Sequence, residues 1–375
     1  MDNLCLQSRL KCKPTFTILG AGNGGQTLAG HLALKGFKVN LYDPDPDKIR
    51  TIRKIKGINL IGAIRGFGKL SIITTNLKDA LKGSNIIMVV VPADAHKDVA
   101  ITCAPYLTED QIVILNPGRT GGALEFSRYI NENIVVAEAQ TLIYACRSLK
   151  PGLCQVYGIK KSVPIAAFPG YKIPQVISHI KSAIPQFVPC KSVIETSLSN
   201  IGAVFHPIIT ILNSSRIENG EKFNFYTDGV TKSVASIIEE VDKERIAIAK
   251  SLGVNVISAH KWLLQAYGSK GKDLYSAIHN THSYKGIIAP SSLQTRYLYE
   301  DVPTGLIPLA SIGKLLEVKT TTINSLINIA SIICNKDFTL TGRTIFDMGL
   351  NSLNKNSIEN YVINGRNSDD EKESA

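Results

Sequence analysis

Apolar residues fall into short runs over the first half of the chain and recur at helical spacing over the second. The runs FTILG, FKVNLYD, SIITT, NIIMVVVP, QIVILNP and NIVVAEA are each about one strand long, with polar or helical stretches between them. VYGIKKSVPIAAFP continues the β character. Short buried strands alternating with helices predict an α/β unit built on a mostly parallel, doubly wound sheet. Around residue 190 the texture changes. A helix is predicted over 200–216. A clearer one covers 230–252, where Val234, Ile237, Ile238, Val241, Ile246, Ala249 and Leu252 share a face and Gly253 follows as a stop. Further helices fit 259–267 and 309–333. The expected plan is an N-terminal arm over 1–13, an α/β domain over 14–195, an all-α C-terminal domain over 196–365 and a disordered tail over 366–375.

The first strand and helix carry the most specific local signal. TFTILGAGNGGQTLAGHLALKGFKVNLYD holds five glycines between Gly20 and Gly30. Gly20, Gly22 and Gly25 form G-x-G-x-x-G, with Asn23 and Gly24 inside it. A strand precedes the motif, a helix follows, and a second strand ends at Asp43. That context makes it a Rossmann-type dinucleotide site. Gly20 permits the turn, Gly22 lets backbone approach a pyrophosphate, and Gly25 lets helix and strand pack closely. The helix N-terminus offers free N–H groups to phosphate. Asp43 stands where a carboxylate bonds the ribose hydroxyls of NAD. Asp43, Asp45 and Asp47 together repel a 2′-phosphate, and the nearest cations, Lys48 and Arg50, lie further along. NAD is the favoured cofactor, with NADP the alternative. Pro92, ending the run before ADAH, is expected near the cofactor. His96 is a catalytic candidate, or a histidine that lines the crevice or caps a helix.

Composition removes several classes. The chain has 375 residues and 44% apolar content, enough for about two cores. No apolar run approaches the roughly 18 residues of a membrane span. The start, MDNLCLQSRLKCKP, lacks a secretory pattern, so the cytoplasm is the expected location. The seven cysteines include no CxxC pair, so neither a metal site nor a disulfide framework is indicated. The net charge is +11. Without a nucleic-acid motif, this charge suits attraction of anionic cofactors and carboxylate substrates better than nucleic-acid binding.

Two segments of the second half hold candidate chemistry. In SLSNIGAVFHPIITILNSSRIENG, His206 precedes Pro207, a pair that predicts a break or kink if the region is helical. A histidine at such a break is placed to face a cleft, with Asn200, Asn213 and Arg216 nearby; a satisfied core or surface histidine is the other reading. In RYLYEDVPTGLIP, Arg296 and Asp301 are five apart, not on one α-helical face, and Pro303 favours a loop or helix end. An arginine grips carboxylates and an aspartate orients a histidine, yet on residues alone a surface ion pair fits equally.

Taken together, ILGAGNGGQTLAGHLA, VVVPADAH, LNPGRTGGALEF, AEAQTLIYACR, NIGAVFHPIITILNSSRIE, FYTDGVTKSVASIIEEVDKERIAIAKSLG and RYLYEDVPTGLIP resemble the octopine/nopaline (opine) dehydrogenase family, in order, over roughly residues 15–310. The resemblance implies reductive condensation of an amino acid with an α-keto acid by NAD(P)H, and the reverse oxidation. It implies a His–Asp pair, His206 and Asp301, with Arg296 on a substrate carboxylate. Asn200, Thr141 and Arg119 are further substrate-binding candidates, the last two expected to line the cleft between domains. A homodimer through the helical domain is compatible, though no pattern marks it. Two alternatives stand beside this reading. One is a keto- or hydroxy-acid reductase related to 2-dehydropantoate reductase or glycerol-3-phosphate dehydrogenase, which would rely on a lysine acid. The other is a nucleotide-binding regulator without catalysis.

Overall fold

The computed structural model describes residues 13–365, so the expected arm, save Lys13, and the expected tail lie outside the described residues. Among the described residues, twelve strands form two sheets. They are β1 (Thr15–Leu19), β2 (Lys38–Tyr42), β3 (Gly57–Gly62), β4 (Gly66–Lys69), β5 (Ile72–Thr74), β6 (Ile86–Val89), β7 (Ile112–Leu115), β8 (Val135–Ala139), β9 (Tyr144–Lys150), β10 (Leu153–Ile159), β11 (Val163–Phe168) and β12 (Phe187–Pro189).

The large sheet runs β12-β11-β8-β7-β6-β1-β2-β5. Strands β5 to β8 of that order are mutually parallel; β11 joins β8 antiparallel, and β12 joins β11 parallel. The side chains of β1, β6, β7, β8 and β11 are almost all buried on both faces, as continuous apolar runs require. The chain leaves β1 for β2 on one side and returns to β6 on the other. This reversal opens a crevice at the carboxyl ends of β1 and β6, where ligands of such sheets bind.

A second sheet, β4-β3-β10-β9, packs over the Asn23–Leu34 helix. Glycines make the close approach possible: a Cβ on Gly68 would collide with the backbone of Gly30. Polar ties complete the seam. Asn23 Oδ1 accepts from the Ser148 N–H at 2.9 Å, and buried Gln26 Oε1 accepts from the Gly152 N–H at 2.8 Å. The helix that begins at the glycine loop is thus sandwiched, which fixes the loop from behind.

The second half is helical. The Lys232–Ser251 helix starts on Thr231, whose side chain accepts from the Val234 N–H, and buries Ile238, Val241, Ile248 and Ala249. Arg245 lies fully inside, paired with Asp242 at 2.6 Å and donating to the carbonyls of Leu198 and Ile257. No described helix is long and apolar enough to cross a membrane.

Three expectations need correction. The chain does not break at Pro207: the Ile201–Leu212 helix runs through it, nearly every residue buried, so tertiary packing offsets the one hydrogen bond that proline removes. The predicted 309–333 helix is two, Ile307–Leu315 and Thr321–Ile333, separated by a turn with Glu317 at φ 55°. The Lys355–Asn364 helix leaves the helical half and packs against the first, with Tyr361 against Phe168 of β11 at 5.0 Å between ring centroids.

The helix–sheet seam is sterically tight. Gly68→Ala should lower the unfolding free energy by about 1–3 kcal/mol through overpacking. Gly158→Ala on β10, where a Cβ meets nothing within 4 Å, serves as the neutral control. Urea denaturation of the two variants compares them; equal stability would remove the close approach as a constraint.

Candidate active site

The glycine loop meets the geometric demands of a dinucleotide. Gly20 adopts φ 101°, closed to most side chains, and a Cβ there would strike the Val90 carbonyl. A Cβ on Gly25 would strike the Gly20 carbonyl, so helix and turn touch directly. Gly22 faces open space, with nothing within 4 Å of a built Cβ. The helix has neither a side-chain cap nor an acidic first turn, which leaves its N-terminal N–H groups for an anion. Leu142, just beyond β8, lies against Gly24. Pro92 starts the 3₁₀ turn Ala93–Ala95 after β6, next to this loop.

Asp43 is buried at the end of β2. Its carboxylate accepts from the Ala21 N–H at 2.6 Å and the Asp45 N–H at 3.0 Å, and Lys48 Nζ bonds both oxygens at 3.1 and 3.2 Å. This corrects the sequence reading, which put the nearest cations further away. The 46–55 helix brings Lys48 back onto the aspartate, while Arg50 pairs with Asp47 at 3.0 Å.

The helical half contributes a histidine cluster. His206 Nδ1 lies 2.8 Å from Asp301 Oδ2, and Nε2 lies 3.2 Å from the Tyr226 hydroxyl. Tyr297 stacks on the imidazole at 4.4 Å between centroids. The Asp301 carboxylate only accepts, so Nδ1 carries a proton and Nε2 is the atom free to exchange one. Burial pushes the Tyr226 phenol well above its ordinary value, keeping it a neutral hydroxyl. Burial also raises the Asp301 carboxyl, but Arg119 and His206 more than offset this and hold it below the usual carboxylate range.

Arg119 comes from the other half of the chain, at φ 60° in the loop after β7. Its Nε bonds Glu300 Oε1 at 3.1 Å, and Nη1 lies 3.2 Å from Asp301 Oδ1. Glu300 also accepts from the Ala93 N–H at 3.4 Å. Arg343 answers in the opposite direction: it pairs with Glu125 at 2.6 Å and donates to the carbonyls of Thr120 and Ala93. The two arginines lock the halves across the cleft.

The other candidates divide. Asn200 is buried close to Arg119 and donates to Thr120 Oγ1 at 3.2 Å. Arg296 is 63% exposed, 3.9 Å from Glu300 and 5.7 Å above the centre of the Tyr297 ring, so its guanidinium faces solvent for the most part. Thr141 accepts from Lys160 at 3.1 Å. Arg119 lies at the cleft, but its guanidinium is occupied by Glu300 and Asp301. Asn213 and Arg216 point elsewhere: the first donates to the carbonyls of Ile209 and Gly229, and the second pairs with Glu221. His96 is fully buried and has no hydrogen-bond partner among the described residues; burial drives its pKa well down. Arg296 and Asp301 also differ from expectation. The Asp301 N–H bonds the Arg296 carbonyl, five residues back, and a π-helical turn over Val302–Leu306 follows. Such turns recur at functional sites.

Sequence reasoning missed Tyr226, Tyr297, Glu300 and Gly202. Glu300 stood in plain view beside Asp301, since two adjacent buried carboxylates demand a cation. Gly202 had no local signal: a Cβ there would run into Nη1 of Arg119.

Two family models match the chain. Residues 189–334 match the NAD/NADP octopine/nopaline dehydrogenase α-helical domain, and residues 15–140 match the N-terminus of NAD-dependent glycerol-3-phosphate dehydrogenase. An opine dehydrogenase of Arthrobacter sp. (strain 1C) is 39% identical over 353 residues, 93% of this chain and 98% of that one. Among solved structures, octopine dehydrogenase with NADH and L-arginine superposes with TM-score 0.80 at 21% identity, over 95% of this chain and 99% of that one. Yersinopine dehydrogenase with NADP+ superposes with TM-score 0.73 at 14% identity, over 94% and 98%. These two likenesses concern the fold.

Arg119→Met leaves Glu300 and Asp301 buried without their shared cation, and should cost about 3–5 kcal/mol of stability at pH 7. The sign of the pH dependence follows. In the parent, Asp301 is held low, so its contribution is complete above the ordinary carboxylate value and is lost as pH falls through the folded value. In the variant, burial of Asp301 is no longer offset by Arg119, so protonation relieves it. The stability gap should narrow from pH 7 towards pH 4, measured by urea denaturation; a gap that is constant or widens in acid contradicts the bridge.

Proposed function

The chain belongs to the NAD/NADP octopine/nopaline dehydrogenase family, and on that premise we propose that it condenses an amino acid with an α-keto acid and reduces the resulting imine to an N-(carboxyalkyl)amino acid, with His206 as the proton-exchanging group. It is an NAD(P)-dependent oxidoreductase of the opine dehydrogenase type, acting on a CH–NH bond. The observation that carries the residue assignment is the pairing of His206 Nδ1 with Asp301 at 2.8 Å, which turns Nε2 outward toward Tyr226.

The glycine loop at Gly20, Gly22, Asn23, Gly24 and Gly25, with Asp43 and Pro92, would hold the dinucleotide. When bound, it supplies the hydride. The protein must orient both substrates and manage one proton. In the reductive direction the imine carbon gains a hydride and the nitrogen gains a proton, which His206 Nε2 delivers. In the oxidative direction the same nitrogen takes the proton back. Asp301 holds the imidazole tautomer and stabilises its cation, as the carboxylate of a catalytic triad does. Tyr226 keeps Nε2 hydrogen-bonded between turnovers. Arg296, largely free, grips the keto-acid carboxylate, and Asn200 adds a polar contact at the base of the site. Arg119 acts through Asp301 as a positioning residue. Every group named comes from one chain, so the chemistry makes no demand on a second copy.

The helical half separates this reading from that of a plain keto-acid reductase. The match over 15–140 belongs to a domain that such reductases share, whereas the histidine cluster lies in the segment matched over 189–334.

The reading is tested with NADH, pyruvate and a pool of amino acids. NADH oxidation at 340 nm should require both co-substrates, and mass spectrometry should find the secondary amine; oxidation with pyruvate alone would return the keto-acid reductase. His206→Ala should keep NADH affinity but lose roughly 10²–10⁴ in turnover. Unchanged turnover would remove His206 from the reaction. Asp43→Ala should weaken NADH binding and narrow the preference for NADH over NADPH; equal use of the two by the unaltered enzyme would sink the ribose assignment.

A further inference from the structure

The proposed reaction handles two carboxylates, one from each substrate, and both persist in the product. Two cations free to meet them would hold both by charge-assisted hydrogen bonds. Arg119 is not one, because Glu300 and Asp301 occupy its guanidinium. Arg296 is one, exposed and weakly engaged.

Lys160 meets the description of the other. It follows β10, and its backbone N–H donates to the Ile143 carbonyl at 2.8 Å, so the residue is fixed against the segment entering β9. Its Nζ donates to Thr141 Oγ1 at 3.1 Å and to the Leu142 carbonyl at 2.7 Å. Two of three N–H groups are thus used, both on neutral oxygens. Among the described residues, no carboxylate lies within ion-pair distance of it. The titratable and charged groups that face it are Cys146 of β9 and Arg119. Burial, opposed by Cys146 and helped by Arg119, brings the ammonium down to about 8. A desolvated ammonium beside another cation and without a counter-ion is costly, and an incoming anion relieves that cost.

Its position agrees with a substrate role. Leu142, whose carbonyl Lys160 holds, lies against Gly24 of the dinucleotide loop. Arg119, which Lys160 senses, leads through Asp301 to His206. The ammonium therefore stands between the loop that holds the hydride source and the group that exchanges the proton.

We propose that Lys160 binds the carboxylate of the amino-acid substrate, opposite the keto-acid carboxylate on Arg296, and so selects amino acids over simple amines. This inference rests on the condensation reaction proposed above. A purely structural role, pinning the 141–142 segment, makes a different prediction, and the test separates the two.

Steady-state rates are measured with NADH, pyruvate and matched pairs: L-arginine and agmatine, L-alanine and ethylamine, L-leucine and isoamylamine, L-phenylalanine and phenethylamine. Amines that do not turn over are read as inhibitors. Lys160→Met should raise the KM of the preferred amino acid roughly 10- to 100-fold, the worth of one charge-assisted hydrogen bond. The KM of pyruvate, the constant for the matching amine and the Kd of NADH should stay as in the parent. Lys160→Gln, which keeps donors for Thr141 and Leu142 but not the charge, should show the same selective loss. Equal losses for amino acid and amine, a shift in NADH Kd, a loss confined to pyruvate, or no loss at all would each overturn the proposal while leaving the reaction intact. Failure of the parent enzyme to oxidise NADH with pyruvate and any of these amino acids would overturn both the reaction and the inference built on it.

Discussion

The guanidinium of Arg119 crosses between the two halves of the molecule, and the site depends on it. Glu300 and Asp301 are adjacent and both buried. Two desolvated carboxylates side by side repel each other and favour protonation unless a cation is present. Arg119 reaches over from the loop after β7 and meets both. With that charge in place Asp301 stays ionised, and an ionised Asp301 can hold a proton on His206 Nδ1. Arg343 reinforces the junction from the helical side. The contact between the halves is here also the contact that keeps Asp301 ionised, so separating the halves would remove the charge behind the proposed His206–Asp301 pair.

A second constraint is spatial. The dinucleotide loop is held by backbone-to-backbone approaches that only glycine permits, at Gly20 against Val90 and at Gly25 against Gly20. The same helix is pressed from its other face by the small sheet, through Gly30 and Gly68. A loop that must present N–H groups to an anion cannot shift far, and the sandwich removes that freedom. Leu142 and Lys160 then extend the sheet's reach from the loop into the cleft, joining the cofactor side to the Arg119 bridge.

The parts legible in the sequence were those encoded locally. The apolar runs from FTILG to NIVVAEA marked the parallel strands, and the periodic face of Val234 to Leu252 marked the long helix, because burial on two faces or one leaves a distinct spacing. The glycine motif was legible because its context lay within thirty or so residues. His206 and Asp301 stood out only through the order of several segments; no local property says that residues 95 apart will meet. The small sheet was missed because β3 pairs with β10 from far along the chain and both are glycine-bearing. Pro207 misled because propensity yields to packing when a helix is buried nearly all round. Arg119 is a substrate-binding candidate by sequence, but the partners that occupy its guanidinium, Glu300 and Asp301, belong to a segment far along the chain and leave no local signal.

Arg119, acting through Asp301, should fix the imidazole of His206 with its proton on Nδ1. Nitrogen-15 NMR of histidine-labelled enzyme measures this directly, with His206 assigned from the spectrum of His206→Gln. The expected result is the Nδ1–H tautomer for neutral His206 in the parent, and its loss or mixing with the other tautomer in Arg119→Met. An Nε2–H tautomer in the parent, or a His206 signal indifferent to Arg119→Met, would contradict it.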